Sequence, residues 1–143
     1  DREIIDQKVE EIAAEAVSGG EHLDDTLIIN CKFANESIAS ISYFSNGSSK
    51  LSKEYIEVFC GGTTAVINDF KSMVIYANRV SKFKYKGQNK GHQEELKQFL
   101  HSIRTGRECP VPFQESYASM LATFKIIDSL RTGRRIELFT MSG

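Results

Sequence analysis

Six side chains carry the polar chemistry that could meet a small molecule. Tyr43, Asn46, Lys50 and Lys53 fall within one short run, and Lys90 and His92 stand two apart just ahead of a strongly amphipathic segment. A phenol, a carboxamide and two ammonium groups donate and accept around hydroxyls, so the first set suits a polyol or a sugar. Lys90 and His92 precede a helix start, where outward-pointing amides favour an anionic group. Each residue also has a plainer use. Tyr43 could pack on a sheet or an interface, Asn46-Gly47 could be an ordinary turn, and Lys50 and Lys53 could be solvated surface. His92 could be a helix-start residue bonded to backbone. No nucleophile–base pair or pair of acids is placed for hydrolysis or isomerisation. His22, His92 and His101 are far apart and match no metal-binding spacing. Cys31, Cys60 and Cys109 include no CxxC pair and read as structural thiols, the first two inside strands.

Two helices follow Lys90. Leu96, Phe99, Leu100 and Ile103 recur at i, i+3, i+4 and i+7, one apolar stripe. Asn89 is a plausible N-cap, Glu94 and Glu95 suit the positive first turn, and Arg104 with Gly106 closes the helix. After Gly106–Phe113, Tyr117, Leu121, Phe124 and Ile127 repeat the pattern, with Met120 and Leu130 widening it, Pro112 ahead of the helix and Gly133 behind.

The middle of the chain alternates with a period of two. Leu27, Ile29, Cys31 and Phe33 share one face, and Ile38, Ser40, Ser42 and Phe44 share another after the polar break Ala34-Asn35-Glu36, which predicts a hairpin. Glu54–Cys60 is a third strand with Tyr55, Glu57 and Phe59 on one side. Gly61-Gly62 turns into a fourth, Thr64–Phe70. Further strands lie in Met73–Tyr76 and Val80–Tyr85. Strands first and helices last predict an α+β fold: an open, mainly antiparallel β-sheet with two C-terminal helices packed on one face. Glu10–Ala16 is ambiguous, because its Glu and Ala content favours helix.

A chain of 143 residues is one domain by length and can bury a core without staples. Its net charge of −1 gives no general pull toward nucleic acid. The local basic run Lys82, Lys84, Lys86 and Lys90 reads as an edge-protecting or solvated face, with an anion contact as the alternative. No stretch is apolar and long enough to cross a bilayer and no signal peptide is visible, so no membrane partner and a cytoplasmic location are expected.

From Val9 to Gly133 the order of several short motifs resembles the C-terminal part of the Gfo/Idh/MocA oxidoreductases, named after glucose–fructose oxidoreductase and inositol dehydrogenase. The residues are Asn35-Glu36-Ser37-Ile38 with Ile41–Gly47, Lys53–Phe59, Val66–Phe70, Lys90-Gly91-His92 with Glu95-Leu96, and Pro110–Phe113. They look like the subgroup whose members can be fused behind a zinc-alcohol-dehydrogenase-like module. Two departures are Glu36, where that hairpin turn usually has glycine, and Cys60, where glycine is preferred.

The resemblance implies a strand at Val9–Val17 and a substrate-side domain working beside a nucleotide-binding Rossmann domain. Asp1–Gln7 would be the stub of a helix cut at the chain's start. The chain has no GxGxxG, no Glu-Lys-Pro and no histidine within Asp1–Asp6 for the family's proton-transfer element. The expected function is therefore substrate binding and oligomerisation within an NAD(P)-dependent dehydrogenase of a sugar- or cyclitol-like hydroxyl. No cofactor is expected to be bound by this chain, and NAD or NADP is implied for the parent. Tyr43, Asn46, Lys50, Lys53, Lys90 and His92 are the expected substrate contacts, and none is expected to be catalytic. The expected partners are the Rossmann domain, a sugar-like molecule and further copies of the chain, met through an open sheet face carrying Ile28, Tyr43, Phe44 or Tyr55. The alternative is a free-standing ligand-binding or assembly module.

Overall fold

The structure is a computed structural model that describes residues 8–17 and 26–138; the expected helix stub at Asp1–Gln7 lies outside them. The elements are β1 (Val9–Ala16), β2 (Thr26–Phe33), β3 (Ile38–Phe44), β4 (Tyr55–Cys60), β5 (Thr63–Asn68), β6 (Ser72–Tyr76), β7 (Val80–Lys84), α1 (His92–Thr105), α2 (Phe113–Thr132) and β8 (Ile136–Glu137). The α+β class, the antiparallel pairing and the two C-terminal helices are as the sequence predicts. The strands lie in two open four-stranded sheets rather than one, ordered β3-β2-β1-β8 and β4-β5-β6-β7. The chain divides into two compact units, Ser48–Pro110 forming one and the residues before and after it the other.

In the first unit alternation overrides helix propensity. Ile12 and Ala14 of β1 are buried, and Ile12 is fully so. Across the sheet they meet Cys31 and Ile29 of β2, which in turn face Ala39 and Ile41 of β3. Sequestering a side chain such as Ile12 contributes about 1.5–3 kcal/mol, a term that an isolated helix over Glu10–Ala16 could not gain. Leu121, Ala122, Ile126 and Leu130 of α2 cover this face, and Leu138 completes the core. The expected stripe on α2 is thus rotated: Leu121 and Leu130 pack, while Tyr117, Met120 and Phe124 are exposed.

One polar seam ties α2 to β1. Ser129 is 1 % exposed. Its hydroxyl accepts from the Ala14 amide at 3.0 Å and donates to the Arg134 carbonyl at 2.6 Å. β8 pairs only with Glu11 and Ile12, so Ser129 supplies the acceptor for Ala14 just past the end of that short strand. The opposite face of the sheet is mostly polar, with rows such as Ala13–Asn30–Ser40 and Glu15–Ile28–Ser42. Ile28 and Phe44 lie on it, whereas Tyr43, opposite Leu27, lies on the face that α2 covers.

The hairpin joining β2 and β3 closes without glycine. Glu36 takes φ 66°, and Asn35 Oδ1 accepts from the Ser37 amide at 3.1 Å. Asparagine's short polar side chain thus stabilises the turn that lacks the usual glycine.

The second unit is built from tight hairpins. Gly61 and Gly62, at φ 53° and 76°, supply the left-handed turn between β4 and β5 that only glycine adopts freely. Ile56, Val58, Ala65, Ile67, Met73, Ile75 and Phe83 share one face through the observed register. Tyr55, Glu57 and Phe59 lie on the other face, as their alternation predicts. β7 is an edge strand, and Lys82 and Lys84 blunt that edge. α1 carries its apolar stripe, Leu96, Phe99, Leu100 and Ile103, exposed.

Candidate functional site

Lys90 and His92 are positioned by the tip of the β5–β6 hairpin. The sequence reading extends β5 to Phe70, but the strand ends at Asn68. Asp69 and Phe70 both take φ 51°, a left-handed conformation that aspartate tolerates but that is costly for phenylalanine. The Lys71 amide closes the turn on the Asn68 carbonyl at 2.9 Å, and the Asp69 amide donates to the Glu54 carbonyl at 2.6 Å.

Onto this tip lies the connector from Tyr85 to Gly91. The Tyr85 amide donates to the Lys71 carbonyl at 2.9 Å, and the Asn89 amide to the Phe70 carbonyl at 3.0 Å. Gln88 Nε2 donates to Asp69 Oδ1 at 2.9 Å. Lys90 Nζ donates to Glu54 Oε1 at 2.9 Å and lies 5.9 Å from the centre of the Phe70 ring. Asp69 is buried, and its second oxygen pairs with Lys71. That hydrogen-bonded pair holds its carboxyl below the ordinary range against the opposing effect of desolvation, with help from Gln88 and the Lys90 charge.

α1 begins one residue beyond this anchored segment. Its N-cap is Gly91 at φ 81°, with no side-chain cap, rather than Asn89. The Asn89 side chain instead accepts from the Gly91 amide at 3.1 Å, an Asx-type turn that shapes the approach to the helix. His92 is the first helical residue and is exposed.

Tyr43 and Asn46 belong to the first unit. Tyr43 is 56 % exposed at the end of β3, and Asn46 stands in the turn that follows. Lys50, Lys53, Lys90 and His92 belong to the second unit. Lys50 and Lys53 are exposed, and the Lys50 amide caps onto Ser48 Oγ at 3.3 Å. Of these four, Lys90 has its ammonium engaged by a carboxylate. Sequence reasoning missed Glu54, Asp69 and Gln88. Asn68-Asp69 is a turn-favouring pair that could have revealed the tip; nothing local marks Glu54 as the partner of Lys90.

Cys31 is half-buried and burial pushes its thiol pKa up, while Cys60 and Cys109 are exposed. Cys60 therefore sits in a strand but outside any core. Among the described residues no helix is long and apolar enough to cross a membrane.

No family model matches the sequence, and no curated protein matches it. Solved structures do. An oxidoreductase from Thermotoga maritima superposes with a TM-score of 0.73 at 16% identity, covering 96% of this chain and 43% of its own. The aldose–aldose oxidoreductase of Caulobacter crescentus, complexed with glycerol, gives 0.75 at 15% identity over 96% of this chain and 43% of its own. A levoglucosan dehydrogenase in complex with NADH and L-sorbose gives 0.73 at 16% identity over 94% and 46%. The chain thus spans less than half the length of each. These neighbours are oxidoreductases of Gfo/Idh/MocA type, and the chain has the fold of their C-terminal domain.

Proposed function

We propose that this chain is the substrate-side and assembly domain of an NAD(P)-dependent dehydrogenase that acts on a sugar- or cyclitol-like hydroxyl, and that it is not catalytic alone. The observation that carries this reading is the coverage: the likeness takes in nearly all of this chain but under half of each neighbour, and two of those neighbours are complexed, one with glycerol and one with NADH and L-sorbose. The Gly61-Gly62 turn does not fit a dinucleotide. It joins two antiparallel strands and leads to no helix N-terminus that could cradle a pyrophosphate. NAD or NADP would be held by a Rossmann domain outside this chain.

The substrate contacts we propose are Tyr43 and Asn46 on the first unit, and Lys50, Lys53, Lys90 and His92 on the second. Exposed hydroxyl, amide and imidazole groups suit a polyol. Lys90, already bonded to Glu54, would serve by anchoring the start of α1. For self-association the best-suited surface is the apolar face of the second sheet, where Ile56, Val58 and Phe83 are exposed, rather than the polar back of the first.

The test is to assay the full-length parent for NAD and NADP reduction with aldoses, polyols and cyclitols, beside this chain alone. Turnover is expected in the parent only, and His92→Ala should lower its kcat/KM by about tenfold, the loss of one good polar contact. A parent inert toward every such substrate would sink the reading, and an unchanged kcat/KM would remove His92 from the site. Light scattering across a dilution series tests assembly: a dimer or larger species is expected, and a clean monomer rejects the interface.

A further inference from the structure

We propose that Asp69 is a positioning residue, holding the Tyr85–Gly91 connector against the β5–β6 tip and thereby fixing where His92 and the first turn of α1 are presented. The inference deepens the site proposed above and rests on that reading for the role of His92.

The geometry points to Asp69 because every strand of the joint runs through or beside it. Its amide holds Glu54, the residue whose carboxylate takes Lys90. Its two carboxylate oxygens take Gln88 from the connector and Lys71 from its own hairpin. Its neighbour Phe70 receives the Asn89 amide on its carbonyl and Lys90 over its ring. The connector is therefore fastened in succession at Tyr85, Gln88, Asn89 and Lys90, and the helix starts two residues past the last of these.

The backbone gives a second, independent reason. A hairpin that only needed to reverse direction would place glycine, asparagine or aspartate at left-handed positions. Here Asp69 is followed by a phenylalanine, Phe70, in the same conformation. Conformations of this cost persist where the surroundings over-determine them, and they concentrate at sites that must be held in one geometry. At the tip the same twist turns the Asp69 carboxylate and the Phe70 carbonyl toward the connector, two of the groups that bind it. Exposed surface does not require such fastening; a segment that presents a side chain to a ligand does, because looseness there weakens every contact it makes.

The experiment uses three variants of this chain, labelled for amide hydrogen exchange and backbone relaxation. Asp69→Ala removes both acceptors and keeps the backbone demand. Asp69→Gly removes both acceptors and relieves it. Asp69→Asn keeps an acceptor for Gln88 and tolerates the left-handed conformation. The Asn89 amide should exchange at least about tenfold faster in the Ala and Gly variants, as expected for loss of charge-assisted bonds, with Gly91 and His92 newly mobile and the Ala14 amide unchanged as the control for folding. Asn should restore most of the protection. Protection of Asn89 in Asp69→Gly equal to that of the parent sequence would overturn the proposal. In the full-length parent the Gly variant should raise KM for the sugar more than it lowers kcat. An unchanged KM in that variant, where His92→Ala does raise it, would also overturn it. Failure of the site reading itself shows separately, as indifference of kcat/KM to His92→Ala with the exchange result intact.

Discussion

Ser129→Ala isolates the polar seam between α2 and β1. The hydroxyl accepts from the Ala14 amide and donates to the Arg134 carbonyl. Ala14 is buried and Ser129 is nearly inaccessible, so the orphaned amide has no water to turn to and costs about 1–3 kcal/mol. Arg134 is exposed, so its carbonyl regains a water partner and loses only the net worth of a bond, about 0.5–1.5 kcal/mol. Alanine returns up to about 0.5 kcal/mol of helix propensity. The balance is a destabilisation of about 1–4 kcal/mol, centred on about 2.5 kcal/mol. The control is Ser102→Ala on α1. Ser102 is as buried as a core residue, yet its hydroxyl bonds only to the Phe99 carbonyl of its own helix at 2.8 Å. Its removal should change stability by less than about 0.5 kcal/mol, because it orphans no donor in another element. The assay is native-state hydrogen exchange, read at Ile12 and Ile29 in the first unit for Ser129→Ala and within α1 in the second unit for Ser102→Ala, since two units need not unfold together. A Ser129→Ala loss no larger than the Ser102→Ala loss would refute the seam and leave apolar contact as the whole of the α2–β1 attachment.

Further outcomes follow from single residues. Glu36→Gly should stabilise the β2–β3 hairpin by about 0.5–1 kcal/mol in urea unfolding: it relieves the φ of 66°, and the exposed Lys32–Glu36 pair at 3.3 Å that it deletes is worth little. Acid should loosen the β5–β6 tip. The folded state holds the Asp69 carboxyl below its ordinary range, chiefly through Lys71, with Gln88 and Lys90 also facing it. Its stabilisation is therefore complete above the unfolded value of about 3.9 and is lost as pH falls through the lower folded value. Asn89 exchange should report that loss and Asp69→Asn should flatten it. With a thiol reagent, Cys60 and Cys109 should react quickly and Cys31 slowly, because Cys31 is half-buried with its pKa raised; equal rates for all three would contradict the packing around β2.

The parts of this fold that local periodicity governs were legible, and those that distant packing governs were not. The Leu27–Phe44 hairpin, the Gly61-Gly62 turn and both helix C-caps at Gly106 and Gly133 were readable because each depends on a few adjacent residues. The strand at β1 was read through the family resemblance, since its composition favours helix and only burial of Ile12 and Ala14 decides it. The rotation of α2 was hidden because its apolar residues cover more than one face. Leu121 and Leu130 meet the sheet, while Tyr117, Met120 and Phe124 do not, and no spacing argument tells a packed stripe from an unpacked one. β8 is two residues long and exists only as a pairing with Glu11 and Ile12.

The candidate site divides along the same line. The proposed contacts were chosen by type: Tyr43, Asn46, Lys50, Lys53, Lys90 and His92 all lie at strand ends, turns or just at a helix start, where polar side chains reach solvent. What type does not tell is which of them already has a partner within the chain. Lys90 is joined to a carboxylate far upstream, and the turn that makes this possible uses an aspartate and a phenylalanine at φ 51°, a pair with no glycine to announce it. In the proposed site a lysine so engaged would contribute geometry, and the exposed histidine just beyond it would contribute a polar group. The difference between those roles comes from one long-range contact, which is why it had to be seen in the fold.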